Sequence, residues 1–133
     1  MIFDSDVLIW LSRGDREAIA SVDSTPDRAL SVITLMEILQ GVRSKTEMKQ
    51  TQESLRNLGF RVLPLSEPIG HLAAGLIEEH TLAHGLQMPD ALIAATAIEA
   101  GEVLATANLR HFRPIRRLAL NPFTRGGRSV SAT

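Results

Sequence analysis

The sequence predicts an α/β sandwich built on a mostly parallel sheet of four to five strands. Short apolar runs alternate along the chain with longer segments whose apolar residues recur at helical spacing. The apolar runs are continuous, which is typical of parallel strands that are buried on both faces. The chain has 133 residues, of which 44% are hydrophobic and 22% charged, and this length and balance suit one compact domain.

The first half of the chain predicts two strands and four helices. A strand over 1–3 ends at the polar Asp4-Ser5-Asp6, and a helix begins after this triplet with the apolar run 7–11. The helix after the second strand has apolar residues at helical spacing, at Leu35, Ile38, Leu39 and Val42. The remaining predictions for this half are a helix over 16–22, the second strand over 29–32, this amphipathic helix over 34–49, and a further helix over 48–57.

The second half predicts a pair of helices between strands. Pro68 starts a helix that Gly85 ends, because proline suits a first turn and glycine a helix stop. Pro89 and Asp90 open a second helix that is alanine-rich and apolar nearly all round, as expected of a helix buried against a sheet. Strands are predicted over 60–65, 103–106 and 117–120. The predicted domain covers residues 1–123, and the glycine- and serine-rich residues 124–133 predict a flexible tail.

The composition excludes several classes of protein. The chain has no cysteine, so disulfides, thiolate nucleophiles and cysteine-based metal sites are excluded, and any metal needs oxygen or histidine ligands. No apolar run approaches the roughly 20 residues that span a bilayer. The opening Met1-Ile2-Phe3-Asp4 does not resemble a secretion signal. These observations predict a cytoplasmic protein without a membrane partner.

The formal net charge of -1 hides a division of the chain. Residues 1–102 hold all 15 acids and eight of the 14 bases, whereas residues 103–133 hold six arginines and no acid. Only Lys45 and Lys49 are lysines, and arginine is the side chain that makes forked contacts with phosphate. The basic end therefore suggests a phosphate-containing partner, and a merely solvated tail is the alternative.

Three acids are predicted at the carboxyl ends of parallel strands, which is where ligands bind in open α/β sheets. Asp4 follows the first strand, Glu37 lies in the helix after the second, and Asp90 opens the alanine-rich helix. Thr106 and Asn108 follow the fourth strand at the same edge. Such a cluster of oxygen ligands suits Mg²⁺ or Mn²⁺, which activate water and neutralise phosphodiester charge. With the arginines, it suggests a phosphodiesterase.

Each acid also has a structural explanation. Thr34 and Glu37 fit a capping box, in which the glutamate bonds the backbone at the start of the helix. Asp90 suits the positive end of a helix dipole, and Asp4 or Asp6 suits an N-cap position. Capping alone, however, gives no reason for the acids to gather at one edge of the sheet.

Four motifs occur in order at residues 2–9, 31–41, 85–97 and 104–112, and residues 120–123 follow them. The four motifs resemble those of PIN-domain nucleases, and residues 120–123 resemble the usual ending of the VapC-type toxins of toxin–antitoxin pairs. The resemblance covers about residues 1–123. It implies a three-layer α/β/α fold and a metal-dependent endoribonuclease that uses Mg²⁺ or Mn²⁺. It also implies an RNA substrate, a cognate VapB-like antitoxin and a homodimer.

The resemblance also implies roles for particular residues. Asp4 and Asp90 would be the most direct metal ligands, and Glu37 would be a further ligand or would orient the attacking water. Asn108 joins the catalytic group, Asp6 and Thr106 support it, and the RNA-binding residues are Arg110, Arg113 and Arg116. The sequence departs from the family in two motifs: Asp6 stands in the first where asparagine is common, and Asn108 and His111 stand in the fourth where many relatives have an acid.

Two other functions fit part of the sequence. Asp4-Ser5-Asp6 resembles the opening of haloacid-dehalogenase-type phosphatases, with Asp4 as nucleophile, but no acid follows Glu102 to complete that site. A PIN-like domain that binds RNA or a partner without cutting fits the altered fourth motif. His71, His80 and His84 are predicted to have surface or packing roles.

Overall fold

The computed structural model describes residues 1–124, so the predicted tail lies outside the described residues except for Thr124. Its centre is a parallel sheet of five strands in the order β3-β2-β1-β4-β5. The strands are β1 (Ile2–Phe3), β2 (Ala29–Ser31), β3 (Arg61–Leu63), β4 (Leu104–Thr106) and β5 (Leu120–Pro122). The predicted parallel α/β sheet is confirmed, with all five strands running the same way.

Seven helices in residues 1–124 connect and cover these strands. They are α1 (Ser5–Ser12), α2 (Arg16–Asp23), α3 (Val32–Gln40), α4 (Lys45–Asn57), α5 (Glu67–His84), α6 (Met88–Ala100) and α7 (Leu109–Phe112). None of these helices is long and apolar enough to cross a membrane.

The sheet separates two apolar cores, because successive side chains of a strand point to opposite faces. Ile2 packs on one face with residues of α5, α6 and α7, whereas Phe3 packs on the other with residues of α1 and α2. Both side chains of β1 are fully buried. The predicted three-layer α/β/α arrangement is confirmed.

The alanine-rich helix α6 forms the centre of one layer. Ala91, Ile93, Ala94, Ala95 and Ala97 are fully buried, as its apolar composition predicts. Small side chains allow the helix to lie close to the sheet and to α5. Gly101 ends α6 with φ of 65°, a left-handed conformation that glycine adopts without steric cost.

The predicted helix over 34–49 is wrong at both ends. The structure has α3 from Val32 and a separate α4 from Lys45. The side chain of Ser44 accepts a hydrogen bond from the Glu47 N–H at 3.0 Å, and Glu47 Oε2 accepts from the Arg43 N–H at 3.2 Å. This local capping stabilises a new helix start and outweighs the continuous helical pattern.

The predicted last strand is displaced. β5 covers Leu120–Pro122 and pairs with β4 from Leu104, so it begins where the predicted strand over 117–120 ends. Leu118 packs in the core with Ile115, which holds the preceding segment against the helices instead of in the sheet.

Candidate active site

Asp4 lies at the carboxyl end of the central strand and is only 4% exposed. It is the N-cap of α1, and its Oδ1 accepts a hydrogen bond from the Ser5 N–H at 2.8 Å. Its Oδ2 accepts from the Thr106 hydroxyl at 2.7 Å, across the sheet from β4. Asp4 therefore both caps α1 and belongs to the acidic site.

Thr106 fixes the orientation of the Asp4 carboxyl. Its Oγ1 accepts a hydrogen bond from the Asn108 N–H at 3.0 Å, which leaves the hydroxyl hydrogen to be donated. That hydrogen serves Asp4, because the contact with Asp6 Oδ2 is much longer at 3.4 Å.

Asp6 connects α1 to the turn that follows β4. Its Oδ1 accepts from the Val7 N–H at 2.7 Å, and its Oδ2 accepts from the Ala107 N–H at 2.9 Å. Both oxygens are thus engaged by the backbone. These bonds hold α1 against the turn after β4, and the supporting role of Asp6 stays a prediction.

Asp90 reaches the same edge of the sheet from the first turn of α6. Its Oδ2 lies 3.3 Å from Nδ1 of His111, and the same ring nitrogen lies 3.2 Å from the Asn108 amide nitrogen. Two predicted site residues, Asp90 and Asn108, are therefore joined through a histidine.

Glu37 lies at the exposed rim of the site, two turns into α3. The capping-box interpretation of Glu37 is wrong, because α3 begins earlier than Thr34. Ser31 is its N-cap and accepts a hydrogen bond from the Ile33 N–H at 3.1 Å.

Burial raises the pKa values of all four acids, and repulsion from neighbouring carboxylates adds to the shift at Asp4 and Glu37. The pKa of Asp4 rises to about 7, first because the side chain is buried and then because of the charge of Asp6, with a smaller effect of Asp90. Burial also raises the pKa of Asp6 and Asp90, although His111 opposes the shift at Asp90. Partial burial and the charge of Asp90 raise the pKa of Glu37.

The donor atoms fit a hard divalent cation, although their present spacing does not form a complete cage. In residues 1–124 no group of three or more acidic or histidine side chains is placed so that it could hold a metal ion. Mg²⁺, however, commonly keeps several waters and takes only one or two protein carboxylates. Asp4 and Asp90 supply two carboxylates in an environment whose raised pKa values show that positive charge would be stabilising.

The predicted RNA-binding arginines lie in α7 and in the segment that follows it. Arg110 and Arg113 line a groove with Leu109 and Pro114. Pro114 is shared with a second groove, which Arg116 and Arg117 line opposite the α5 residues His71, Glu79 and His80. Arg110, Arg113 and Arg116 are all exposed, so they are accessible to a polyanion.

His111 has no role predicted from its sequence position, yet it lies between Asp90 and Asn108 in the structure. The sequence does contain a spacing signal, because Asn108 and His111 are three residues apart, as neighbours on a helical turn are. In the structure, Leu109 and Phe112 of the same turn are buried. The contact with Asp90 joins residues 21 positions apart and depends on tertiary packing.

The fold and site define a class of α/β/α proteins with an acidic site at the carboxyl edge of a parallel sheet. The family model of the PIN domain matches residues 1–118, and the chain belongs to the PIN domain family. The resemblance to PIN-domain, VapC-type toxins is confirmed. The haloacid-dehalogenase alternative gains no support from this match.

Several solved structures share the fold of this chain. A toxin–antitoxin complex from Klebsiella pneumoniae is 31% identical, with a TM-score of 0.75 over 89% of this chain and 94% of the other. FitAcB from Neisseria gonorrhoeae is 25% identical, with a TM-score of 0.71 over 90% and 94%. VapBC2 from Rickettsia felis, bound to a promoter DNA fragment, is 22% identical and shows the shared fold, with a TM-score of 0.73 over 91% and 98%. No curated protein matches the chain significantly.

Proposed function

We propose that the protein is a metal-dependent endoribonuclease and the toxin of a VapBC-type toxin–antitoxin pair. The observation that carries this proposal is that Asp4, Glu37 and Asp90, from three separate elements of a PIN domain, lie near enough for their charges to interact in pairs. Pairwise charge effects on their pKa values link Asp4 to Asp90 and Asp90 to Glu37.

In this proposal Asp4 and Asp90 hold Mg²⁺ or Mn²⁺. When bound, the ion would lower the pKa of a water molecule and neutralise charge on the phosphodiester. Thr106 keeps Asp4 oriented by its hydrogen bond, and Asp6 holds α1 against the turn after β4. Both contacts prepare the site before substrate arrives, which reduces the cost of ordering it during the reaction.

Glu37 would orient the water that attacks phosphorus. It lies at the solvent-exposed rim, where water and RNA arrive, and its raised pKa makes it a stronger base than an ordinary glutamate. Arg110, Arg113 and Arg116 would attract the RNA backbone toward this rim through charge and forked hydrogen bonds.

The proposed partner is a VapB-like antitoxin that holds the nuclease inactive. The structure from Klebsiella pneumoniae supports this proposal, because it is a toxin–antitoxin complex and is 31% identical to this chain. We further propose that the protein forms a homodimer and acts in the cytoplasm, where RNA is accessible.

The cleavage test uses purified protein that has been stripped of metal. Labelled single-stranded and structured RNAs are incubated with it before and after Mg²⁺ or Mn²⁺ is added. We expect cleavage only with the ion, and Asp4→Asn and Asp90→Asn should reduce cleavage to background. Asp23→Asn changes an exposed acid at the end of α2 and is the matched control. Intact RNA under every metal condition would contradict the proposal.

A domain that binds RNA or a partner without cutting is the second candidate. The amide and imidazole at Asn108 and His111, and the incomplete metal cage among the described residues, favour it. It predicts that the wild-type protein binds RNA in Mg²⁺ and leaves it intact, and that Asp4→Asn changes neither property.

A further inference from the structure

His111 faces two different groups with a single ring nitrogen. Its Nδ1 lies 3.3 Å from Asp90 Oδ2 and 3.2 Å from the Asn108 side-chain nitrogen. The carboxylate accepts hydrogen bonds, whereas an amide nitrogen donates them, so one neutral tautomer cannot serve both contacts. The amide oxygen and nitrogen of asparagine can exchange places by a rotation of the side chain.

One arrangement satisfies all three groups. With the hydrogen on Nδ1 and the Asn108 amide turned so that its oxygen faces the ring, a single N–H points at two acceptors. The Asp90 carboxylate then accepts a hydrogen bond from the ring, and the contacts of Nδ1 with Asp90 and Asn108 together fix the ring orientation. The opposite tautomer would place the lone pair of Nδ1 against the Asp90 carboxylate.

The local fold supports this assignment. His111 lies in α7 between Leu109 and Phe112, whose side chains are 4% and 0% exposed, so the short helix is anchored in the core. Asn108 occupies the N-cap position of α7, yet its amide faces His111 instead of the helix N–H groups. An asparagine at this position normally caps, and here its hydrogen-bonding capacity is used at the acidic site.

We propose that His111, held by Asn108, is a positioning residue that fixes the Asp90 carboxylate for cation binding. The inference rests on the proposed function, because it assumes that Asp90 is a metal ligand. The histidine does not touch the ion and acts only through the carboxylate. Groups in this position orient the ligand and raise its affinity, and their loss commonly costs about 10–100-fold in metal affinity.

The test measures Mn²⁺ binding to the whole chain by titration calorimetry, with no RNA present. Removal of the ring in His111→Ala should weaken Mn²⁺ binding about 10–100-fold. His111→Asn should restore most of the affinity, because the asparagine amide places a donor the same number of bonds from Cβ as Nδ1 does. The matched control is His71→Ala, which removes an exposed histidine of α5 that lies beside Glu67.

A second readout separates positioning from loss of folding. Thermal unfolding of the metal-free His111→Ala protein should remain cooperative, and the rise in Tm on adding Mn²⁺ should be smaller than in wild type, as expected for weaker binding to the folded state. In RNA cleavage, kcat should fall at saturating RNA while KM for RNA changes little.

The outcomes distinguish this inference from the proposed function. If wild type binds no Mn²⁺, the proposed metal site fails. If wild type binds Mn²⁺ and His111→Ala binds it equally well, the proposed function stands and the positioning role is overturned. Equal weakness of the asparagine and alanine variants would also overturn it, because a hydrogen-bond donor would then be irrelevant.

Discussion

At the scale of single residues, the hydrogen bonds of Asp4 leave room for a chemical role beside its structural one. Its two oxygens accept hydrogen bonds from Ser5 and Thr106, and a carboxylate has about four lone-pair positions in all. Positions thus remain for a cation after the helix is capped. Capping and metal binding, which the sequence presents as alternatives for Asp4, are therefore compatible.

The raised pKa of Asp4 predicts that metal-free protein loses stability as pH rises. The carboxyl is protonated in the folded state up to pH of about 7, but ionises in the unfolded chain near its ordinary value of 3.8. Its contribution to stability is therefore complete below the unfolded pKa and is lost as pH rises through the folded pKa. Urea unfolding between pH 4 and pH of about 8, in a chelating buffer, measures this loss.

The Asp4→Asn variant isolates that contribution. Its free energy of unfolding should depend less on pH than that of wild type, and at the highest pH it should be the more stable protein. Asp23→Asn should keep the wild-type dependence. Parallel curves for wild type and Asp4→Asn would show that Asp4 ionises normally in the folded state.

Glu37→Gln should reduce cleavage without a matching loss of metal affinity. The amide keeps the shape of the side chain but cannot take a proton from water, and general base catalysis commonly contributes about 100-fold or more. Single-turnover cleavage gives the rate, and Mn²⁺ calorimetry gives the affinity. A loss of Mn²⁺ affinity as large as the loss of rate would instead identify Glu37 as a metal ligand.

At the scale of elements, the start of α3 decides where Glu37 stands. Ser31 is fully buried and caps the helix, whereas Thr34 is buried with its hydroxyl unpaired among residues 1–124. Ser31→Ala should cost about 1 kcal/mol of stability, as the loss of an N-cap does. Thr34→Val has nearly the same shape and should raise stability by about 1 kcal/mol, because it removes an unpaired buried hydroxyl.

These opposite signs discriminate between the two helix starts. If Thr34 were the cap, its replacement by valine would destabilise the protein and the Ser31 variant would be almost neutral. Urea unfolding at one pH and in the absence of metal is sufficient for the comparison, since neither substitution changes charge.

The sequence was sufficient to predict the order of the elements except for the short helix α7, and less sufficient to predict their exact bounds. Pro68 and Gly85, or Pro89 and Gly101, are strong local signals, and the helices that they delimit are close to those observed. The start of α3 was missed because two hydroxyl residues compete within one turn, and the tertiary position of β2 selects Ser31.

The candidate site, too, could be predicted from the sequence only in part. Asp4 and Asp90 could be assigned to one edge because parallel strands bring their carboxyl ends together. The link from Asp90 to His111 could not, because it depends on the direction of a side chain in α7 and on the packing of Phe112 beneath it.

At the scale of the whole molecule, the acidic and basic parts of the sequence form different parts of the fold. The acidic part of the chain supplies the acids at the sheet edge, and the basic part begins with β4 and continues through α7. The exposed arginines thus lie directly after the strand that carries Thr106. In the proposed function, this arrangement would bring arginines that attract an RNA backbone near carboxylates that hold a cation.

RNA binding should therefore depend on salt through these arginines. Each lost phosphate contact should reduce the slope of log affinity against log salt concentration by about 0.7 for a single strand. Arg110→Gln, Arg113→Gln and Arg116→Gln should each weaken binding and lower the slope, and the triple variant should combine their effects.

Fluorescence anisotropy of a labelled RNA in a chelating buffer measures binding without cleavage. The control is Arg56→Gln, an exposed arginine at the end of α4. An unchanged slope in the triple variant would place the RNA elsewhere, because counterion release counts phosphate contacts wherever they lie on the surface.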